Sequence, residues 1–438
     1  MILRKSLLYL VLVLAASSHA DDLLGVYQAA VSGDPRLKLA GLKVGISEAA
    51  QQQAVGKMLP QLQGRISFSE NRQDLEANQL SSGSRDSFSG EKYNLLLTQT
   101  IFDMPKYYSW RVQKETGSQY LLELSDVEQE LMVDVVTGYF AVLESIDALA
   151  LVGHEIAANE QLLRQVEKLY EKELAKITEL LEVRASYDKL QADQVQAESQ
   201  VAVARGKLYE LTGSPIGELK PLSDTVEFVV VEDSLDQWIE RVASKNAALA
   251  GLSKAIDAQH YGLLEKKTGR LPVVDLQLSH QKSDLGYENS ARPLTTTDYV
   301  GVNVSVPLFT GGVTSGRIKE ARQRLEVARY NYEAEYRALI KEVRDAFLQT
   351  NANVRRIEAA KKAALSSLKA REAMEKGFKL GAVTSVDVLD AQRQEFRALN
   401  DLSQAKYGYV MERARLLKIS GLMDRPTLVQ INQWLAPG

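Results

Sequence analysis

The chain has 438 residues, of which 45% are hydrophobic and 25% are charged, the proportions of an ordinary soluble protein. It contains no cysteine, so an exported form has no disulfide bond and no thiol to carry a lipid anchor. The formal net charge of −4 is mildly acidic, which argues against nucleic acid as a partner.

The first 20 residues have the features of a signal peptide. Arg4 and Lys5 precede an apolar stretch over residues 7–16, and residues 18–20 (Ser-His-Ala) form a small-x-small cleavage site. A buried N-terminal helix is the alternative, but the charge order and the cleavage site favour export. After residue 20 no apolar run approaches the roughly 18 residues of a transmembrane helix. Any passage through a membrane is therefore expected to use strands.

Four later segments alternate apolar and polar side chains, the pattern of a strand with one apolar face. Each is about ten residues long, which is typical of a transmembrane β-strand. A half-buried hairpin of a soluble domain is the alternative for any single segment. The predicted strands cover about residues 61–70, 93–102, 273–281 and 299–308. The segments 71–92 and 281–298, which join the strands of each pair, are rich in polar residues and are predicted to be long loops.

Long helices are predicted on either side of the second strand pair. Residues 106–214 and 308–425 contain no proline, the residue that breaks helix interiors. Apolar residues recur there at steps of three and four, as in coiled-coil packing. The pattern predicts helices within about 104–211 and 313–420. At 1.5 Å per residue, residues 313–377 alone would extend about 98 Å.

The chain is internally duplicated. Residues 34–60 and 246–272 are both helix-like and both end in Leu-Pro directly before a predicted strand. In the following helices Val135 matches Val343 and Tyr139 matches Phe347, at an offset of 208 residues. One unit repeated once is the interpretation. The predicted organisation is a signal peptide (1–20), a first repeat (21–230) and a second repeat (231–438) that ends in a C-terminal equatorial segment.

Two strand pairs are too few to close a barrel, and membrane strands cannot leave their edges unpaired in lipid. The pairs are therefore expected to combine with those of other copies, and cyclic symmetry closes such a ring. Three copies would supply twelve strands, although these residues alone do not fix the number.

In these features the chain resembles the TolC family of outer-membrane efflux proteins over about residues 22–436. The likeness is carried by the doubled arrangement, by VPLFTGG at residues 306–312 and by GAVTSVDVLD at residues 381–390. The missing cysteine places the chain with the non-lipidated members, which include the type I secretion ducts. The resemblance implies a mainly α fold with membrane β: a trimeric twelve-stranded β-barrel, four strands per protomer, continued by a long α-helical coiled-coil barrel.

The resemblance also implies a function and partners. A homotrimer in the outer membrane, surrounded by its lipid and with a large periplasmic portion, would be the passive exit duct of a tripartite efflux or type I secretion system. A periplasmic adaptor (membrane fusion) protein and an inner-membrane ABC or proton-driven transporter would supply the energy. A belt built from residues 22–33, residues 212–245 and the C-terminal segment would encircle the helices.

In the family the periplasmic tip is closed by hairpins that match residues 170–184 and 378–392. Asp387 and Asp390 fall on the family's paired acidic rings, and a spacing of three places both on one helix face. Three copies would bring six carboxylates to one constriction that favours cations, and crowding would raise their pKa values as a coupled group. The alternative is that Thr384 and Asp387 form a capping box and that Asp390 lies on a solvated helix face.

The family's gate joins an aromatic hydroxyl and a basic residue of the second hairpin to a Thr-acid pair of the first. The pair is present as Thr178 and Glu179. The hydroxyl position is Phe378 and the basic position is Val383, and neither side chain can make the family's bond. The closed state is therefore expected to be weaker, or to be held by packing.

No enzymatic arrangement is found in the sequence, so no catalytic residue, cofactor or metal is expected. His154, His260 and His280 are isolated from one another and lack the spacing of metal ligands. No Walker-type loop is present.

A competing interpretation is a periplasmic coiled-coil scaffold or adaptor without a pore, which leaves the paired strands unexplained. An exported hydrolase is disfavoured because acid, base and nucleophile do not cluster.

Overall fold

The structure is a computed structural model that describes residues 21–75, 84–286 and 289–437. Residues 1–20, the predicted signal peptide, lie outside the described residues. The described chain is mainly helical with one antiparallel sheet. The helices are α1 (Leu23–Gly33), α2 (Pro35–Gly56), α3 (Met104–Glu171), α4 (Ile177–Thr212), α5 (Leu235–Lys245), α6 (Ala247–Thr268), α7 (Val313–Lys379), α8 (Ser385–Ile419) and α9 (Arg425–Asn432). The strands are β1 (Gln61–Leu75), β2 (Ser84–Phe102), β3 (Val273–Leu285) and β4 (Ala291–Ser305).

The helices α3 and α7 are unusually long, as the proline-free stretches predict. They contain 68 and 67 residues, against about 11–12 for a typical globular helix. Pro105 is the second residue of α3, where its missing N–H costs no hydrogen bond. Short turns then lead from α3 into α4 and from α7 into α8.

One window of α3 is long and apolar enough to cross a membrane, where the sequence was expected to contain none. The core helix of a soluble protein meets the same requirements. Val135, Val136, Tyr139 and Phe140 of α3 have no exposed surface and belong to a large buried cluster. A third of the window is buried, so packing at these residues accounts for part of the apolar character of α3.

The chain divides into two compact units, and neither unit coincides with a sequence repeat. Of the described residues, one unit comprises 21–38, 127–246 and 339–437, and the other comprises 39–75, 84–126, 247–286 and 289–338. Each unit draws segments from both predicted repeats. The repeats are therefore units of sequence, while each packing unit is assembled from matching parts of both.

The first unit has its core where α1, α8 and α9 meet the middle of α3. Tyr139 lies at its centre, and its hydroxyl is 3.0 Å from the carbonyl oxygens of both Asp21 and Lys220. Burial raises the pKa of this phenol. Since a buried hydroxyl needs a partner, Tyr139 holds the first described residue against the segment that follows α4.

The second unit contains the sheet, whose strand order is β1-β2-β3-β4 with every neighbouring pair antiparallel. Its register aligns the apolar residues in rows. Leu62 lies opposite Leu97, Leu97 opposite Leu278, and Leu278 opposite Val300. Because side chains in such a row share one face, the sheet has an apolar face across all four strands.

The other face of the sheet is polar. The adjacent row aligns Gln61, Thr98, Gln277 and Gly301. A one-residue shift of any strand would exchange the two faces, so the register is defined by the contrast between them. Within the described chain β1 pairs only with β2 and β4 pairs only with β3, so both outer edges lack a partner.

The strands extend further into the polar segments than predicted. The predicted loops at 71–92 and 281–298 are mostly strand, because β1 continues to Leu75, β2 begins at Ser84, β3 continues to Leu285 and β4 begins at Ala291. Residues 76–83 and 287–288 lie outside the described part. The loop prediction was wrong because polarity on both faces was interpreted as loop. Backbone pairing continues in a hairpin beyond its apolar zone, since it does not require an apolar face.

The last strand ends three residues earlier than the predicted 299–308. Pro307 has no N–H to donate and its ring fixes φ, so β4 ends at Ser305. Gly311 and Gly312 follow with φ values of 58° and 87°. Glycine adopts this left-handed conformation without a Cβ penalty, which allows the sharp turn into α7.

Candidate functional site

The predicted tip hairpins have the same backbone construction in both repeats. In the first, the Leu174 N–H donates to the Leu169 carbonyl over 2.8 Å. In the second, the Ala382 N–H donates to the Gly377 carbonyl over 2.9 Å. These six-residue closures are the helix-ending bonds of a Schellman motif, and they lie 208 residues apart, as the duplication predicts. The helices therefore stop at matching places.

The matching turns differ at the residue that adopts the left-handed conformation. This residue is Gly381 in the second hairpin, with φ 73°, and Glu173 in the first, with φ 59°. A residue with a Cβ is strained in this region by roughly 1–2 kcal/mol, whereas glycine is not. The first tip turn therefore stores strain that the second turn lacks.

Glu173→Gly is expected to stabilise the first tip turn by up to about 1 kcal/mol, because it removes this strain. The measurement is amide hydrogen exchange at Leu174, whose N–H closes the turn. Exchange should slow in the variant. Gly381→Ala is the matched control, since nothing lies near its Cβ position and only the φ value opposes the side chain; exchange at Ala382 should accelerate. Unchanged exchange in both variants would contradict the strain argument.

Asp387 forms the capping box that the sequence offers as its alternative role. The Thr384 N–H and hydroxyl donate to Asp387 Oδ2 over 2.8 and 2.7 Å, and the Asp387 N–H donates to Thr384 Oγ1 over 3.3 Å. These hydrogen bonds from Thr384 hold the pKa of the Asp387 carboxyl below its usual value. Within one protomer the direction is therefore opposite to the rise expected from crowding in a ring.

Asp390 is also engaged, although more weakly. Arg393 Nη1 lies 3.4 Å from Asp390 Oδ1, and both side chains remain well exposed. Asp387 is exposed as well. Asp387 thus has a local role as a helix cap, and Asp390 has a local ion-pair partner. Both carboxylates nevertheless remain exposed to solvent at the tip. The acidic ring thus stays a prediction.

The gate residues do not form the family's polar contact. Phe378 is half-buried and packs against a cluster from α3, α4 and α8. Val383 lies over Gly377, where a Cβ would be 3.2 Å from Val383 Cγ2. The cluster consists of Leu162, Leu163, Val166, Val183, Val388 and Leu389. Apolar packing therefore occupies the place where the resemblance implies a hydroxyl.

The Thr-acid pair is also used differently. Thr178 is exposed, and no hydrogen bond of its side chain to another described residue is found. Glu179 accepts a long hydrogen bond of 3.4 Å from the Ser385 hydroxyl. Glu179 matches Asp387 in the other repeat, but its N-cap residue Lys176 makes no side-chain cap bond. The first hairpin therefore lacks the capping box of the second.

The sequence analysis missed a buried polar contact near the tip. Asn159 of α3 donates to the Ser186 hydroxyl of α4 over 3.1 Å, and Arg393 of α8 donates to the same oxygen over 3.0 Å. Asn159 and Ser186 are 2% and 5% exposed. No motif marks these residues; their one signal in the sequence is a polar residue at a core position of each helix.

A cavity of about 340 Å³ adjoins this contact, and its lining includes Glu155, Lys189, Asp193 and Arg393. Burial raises the pKa of Glu155, and the charge of Arg393 opposes that rise. The cavity wall is rich in charged side chains, so the interface between the helices changes from apolar at the tip cluster to polar here.

TolC of Escherichia coli is 28% identical over 430 residues, covering 96% of this chain and 86% of the relative. The alkaline protease secretion protein AprF of Pseudomonas aeruginosa is 28% identical over 432 residues, covering 95% and 88%. The CmeC outer membrane channel of Campylobacter jejuni has the same fold, with a TM-score of 0.82 at 16% identity over 94% of this chain and 90% of that one.

The family model described as "Outer membrane efflux protein" matches residues 26–214 and 238–422, which together make up most of the chain. The two matched segments correspond to the two halves of the duplication. The resemblance to the TolC family and the mainly helical fold with a four-stranded sheet are confirmed, and the chain belongs to the outer membrane efflux protein family.

Proposed function

We propose that the protein is an outer-membrane exit duct for efflux or type I secretion, through which solutes or polypeptides pass without any reaction. The four-stranded sheet gives the main support for this proposal. It has one apolar and one polar face, and its hydrogen bonding is incomplete at both edges. A sheet with these properties suits lipid on one side and water on the other once its edges are closed by further copies.

Three copies of the sheet would give the twelve strands of a closed barrel, joining β4 of one copy to β1 of the next. The helix that precedes β1 supports such assembly. Leu39, Leu42 and Ile46 of α2 follow one another at steps of three and four, and all three are exposed. An exposed apolar stripe on an exported protein favours burial against another copy.

The long helices would extend the duct from the membrane. At 1.5 Å per residue, the 67 residues of α7 span about 100 Å. This length suits a tunnel through the periplasm towards an adaptor and an inner-membrane pump that provides the energy. Relatives named for efflux and for protease secretion support both kinds of cargo, small molecules and polypeptides.

Asp387 and Asp390 would form the cation-selective constriction at the far end of this tunnel. Their exposure and their position at the start of α8 support the assignment. Thr178, Glu179, Phe378 and Val383 would lie at the gate, which is held by apolar packing around Phe378 rather than by the family's hydroxyl.

The test is single-channel conductance of the purified protein in a planar bilayer, together with its location in cell fractions. We expect detergent-resistant oligomers in the outer-membrane fraction and a small conductance that multivalent cations block. Correctly assembled oligomers that never conduct, even after tip residues are replaced, would instead favour the periplasmic scaffold.

A further inference from the structure

Near the tip, within the first compact unit, the helical pair α3 and α4 meets the helical pair α7 and α8. The apolar cluster around Phe378 joins them. Among the described residues of 159–186 and 371–397, two side-chain hydrogen bonds also join them. One is the 3.4 Å contact from Ser385 to Glu179, and the other is the 3.0 Å contact from Arg393 to Ser186.

The Arg393 contact is the stronger of the two. Its length is that of a good hydrogen bond, whereas 3.4 Å is at the outer limit. Each contact has one charged partner, the Arg393 guanidinium or the Glu179 carboxylate, so the shorter distance and not the charge distinguishes the two. The acceptor of the Arg393 contact is fixed in place, because the buried Ser186 hydroxyl also accepts from Asn159 on the neighbouring helix.

Arg393 also contacts Asp390, one of the two predicted ring residues, over 3.4 Å. One cationic side chain therefore bridges the buried contact between the helical pairs and a carboxylate at the predicted constriction. A guanidinium has several donors in a planar fork, which permits both contacts at once. Nη2 is directed to Ser186 and Nη1 to Asp390.

We propose that Arg393 is a positioning residue of the closed tip: it holds α8 against α4 through Ser186 and at the same time offsets the negative charge of Asp390. This inference rests on the proposed channel function. Arg393 supplies a polar contact that Phe378 and Val383 cannot make. Its positive charge also makes the constriction less negative by one charge in each copy. Separation of α8 from α4 requires the Arg393–Ser186 bond to break.

Arg397 provides a matched control. It lies one helical turn further along α8 and lines the same cavity as Arg393. No hydrogen bond or ion pair joins its side chain to another residue of the described chain. Removal of Arg397 therefore changes the charge of the cavity by the same amount without removing a contact between the helical pairs.

The experiment compares wild-type protein with Arg393→Ala, Arg393→Lys, Ser186→Ala and Arg397→Ala in planar bilayers. Two quantities are recorded: the open fraction, and the concentration of hexaamminecobalt(III) that halves the current. Loss of a hydrogen bond to a charged group shifts an equilibrium about tenfold or more. The open fraction should rise by about this factor in Arg393→Ala and Ser186→Ala but not in Arg397→Ala.

The blocking concentration separates the two roles of Arg393. It should fall in Arg393→Ala, because the constriction becomes more negative. It should stay near the wild-type value in Ser186→Ala and Arg393→Lys, which keep the positive charge. A merely structural role for Arg393 would not produce this difference. Oligomers of each variant are checked for detergent resistance before measurement, and Ser186→Ala is the mildest change if Arg393→Ala does not assemble.

Two results would overturn the proposal while leaving the channel intact. Conduction of Arg393→Ala and Ser186→Ala with the wild-type open fraction would remove the positioning role. Equal block of Arg393→Ala and Arg397→Ala would remove the charge role. Absence of conduction from wild-type oligomers and from every variant would instead contradict the proposed function itself.

Discussion

Val302→Arg is expected to prevent stable insertion of the assembled sheet into the outer membrane. Val302 is exposed on the apolar face, where it lies opposite Leu276 and between Val300 and Val304. An arginine on the lipid-facing side of a barrel strand near the bilayer midplane costs roughly 2–4 kcal/mol. In a ring of copies this cost recurs in every subunit. The variant should be lost from the outer-membrane fraction and should give no detergent-resistant oligomer.

Asn303→Arg is the control for this prediction. Asn303 is the next residue of the same strand, pairs with Asp275 and points to the polar face. The same substitution there places the arginine in water, so assembly should be retained and only the conductance should change. Equal loss of both variants would mean that β4 does not face lipid. Equal retention of both would favour the soluble scaffold.

Replacement of both tip aspartates, Asp387→Ala with Asp390→Ala, is expected to abolish block by multivalent cations. Three copies would place six carboxylates at one constriction, and the double variant removes all of them. The conductance itself should persist or rise. The measurement is the single-channel current with and without hexaamminecobalt(III), on oligomers that have passed the same detergent test.

Thr384→Val is the control for the capping role of Asp387. It removes the hydroxyl that donates to Asp387 but leaves both carboxylates in place. If the ring interpretation is right, block should survive in Thr384→Val and disappear in the double variant. Block that survives in the double variant would leave Asp387 as a cap alone, and the cation site would lie elsewhere.

Acidification provides a second test of Asp387. The hydrogen bonds from Thr384 lower its folded pKa below the ordinary value of 3.8. The stabilisation of the cap is therefore fully present above that ordinary value and is lost as the pH falls through the lowered pKa. Block should persist down to about pH 4. Its loss already above about pH 5 would show that crowding of carboxylates outweighs these hydrogen bonds.

Much of the fold could be predicted because its determinants are local. The absence of proline permits α3 and α7, and the spacing of apolar residues defines their packing faces. Thr384 and Asp387 are three residues apart, so their capping box could be predicted from the sequence alone. The alternation around Val302 predicts which of its neighbours share a face, since the side-chain period of a strand is two.

Strand ends and loops were predicted less well. In the polar segments beyond the apolar zone, side-chain pattern no longer distinguishes a paired strand from a loop. Ser84 and Leu75 are nevertheless paired in the structure. Their pairing depends on the register of the whole hairpin, which continues from the apolar rows and which no local window contains.

Local patterns in the sequence define the long helices, the faces of the strands, the duplication and the positions of the acidic residues. The contacts that hold the tip depend on how the distant helices pack. Ser186 and Arg393 are 207 residues apart in the chain. No sequence motif around either residue indicates that the two side chains are in contact. Their contact exists because packing of the apolar cluster brings α8 against α4, and a long-range contact of this kind has no period in the sequence from which it could be predicted.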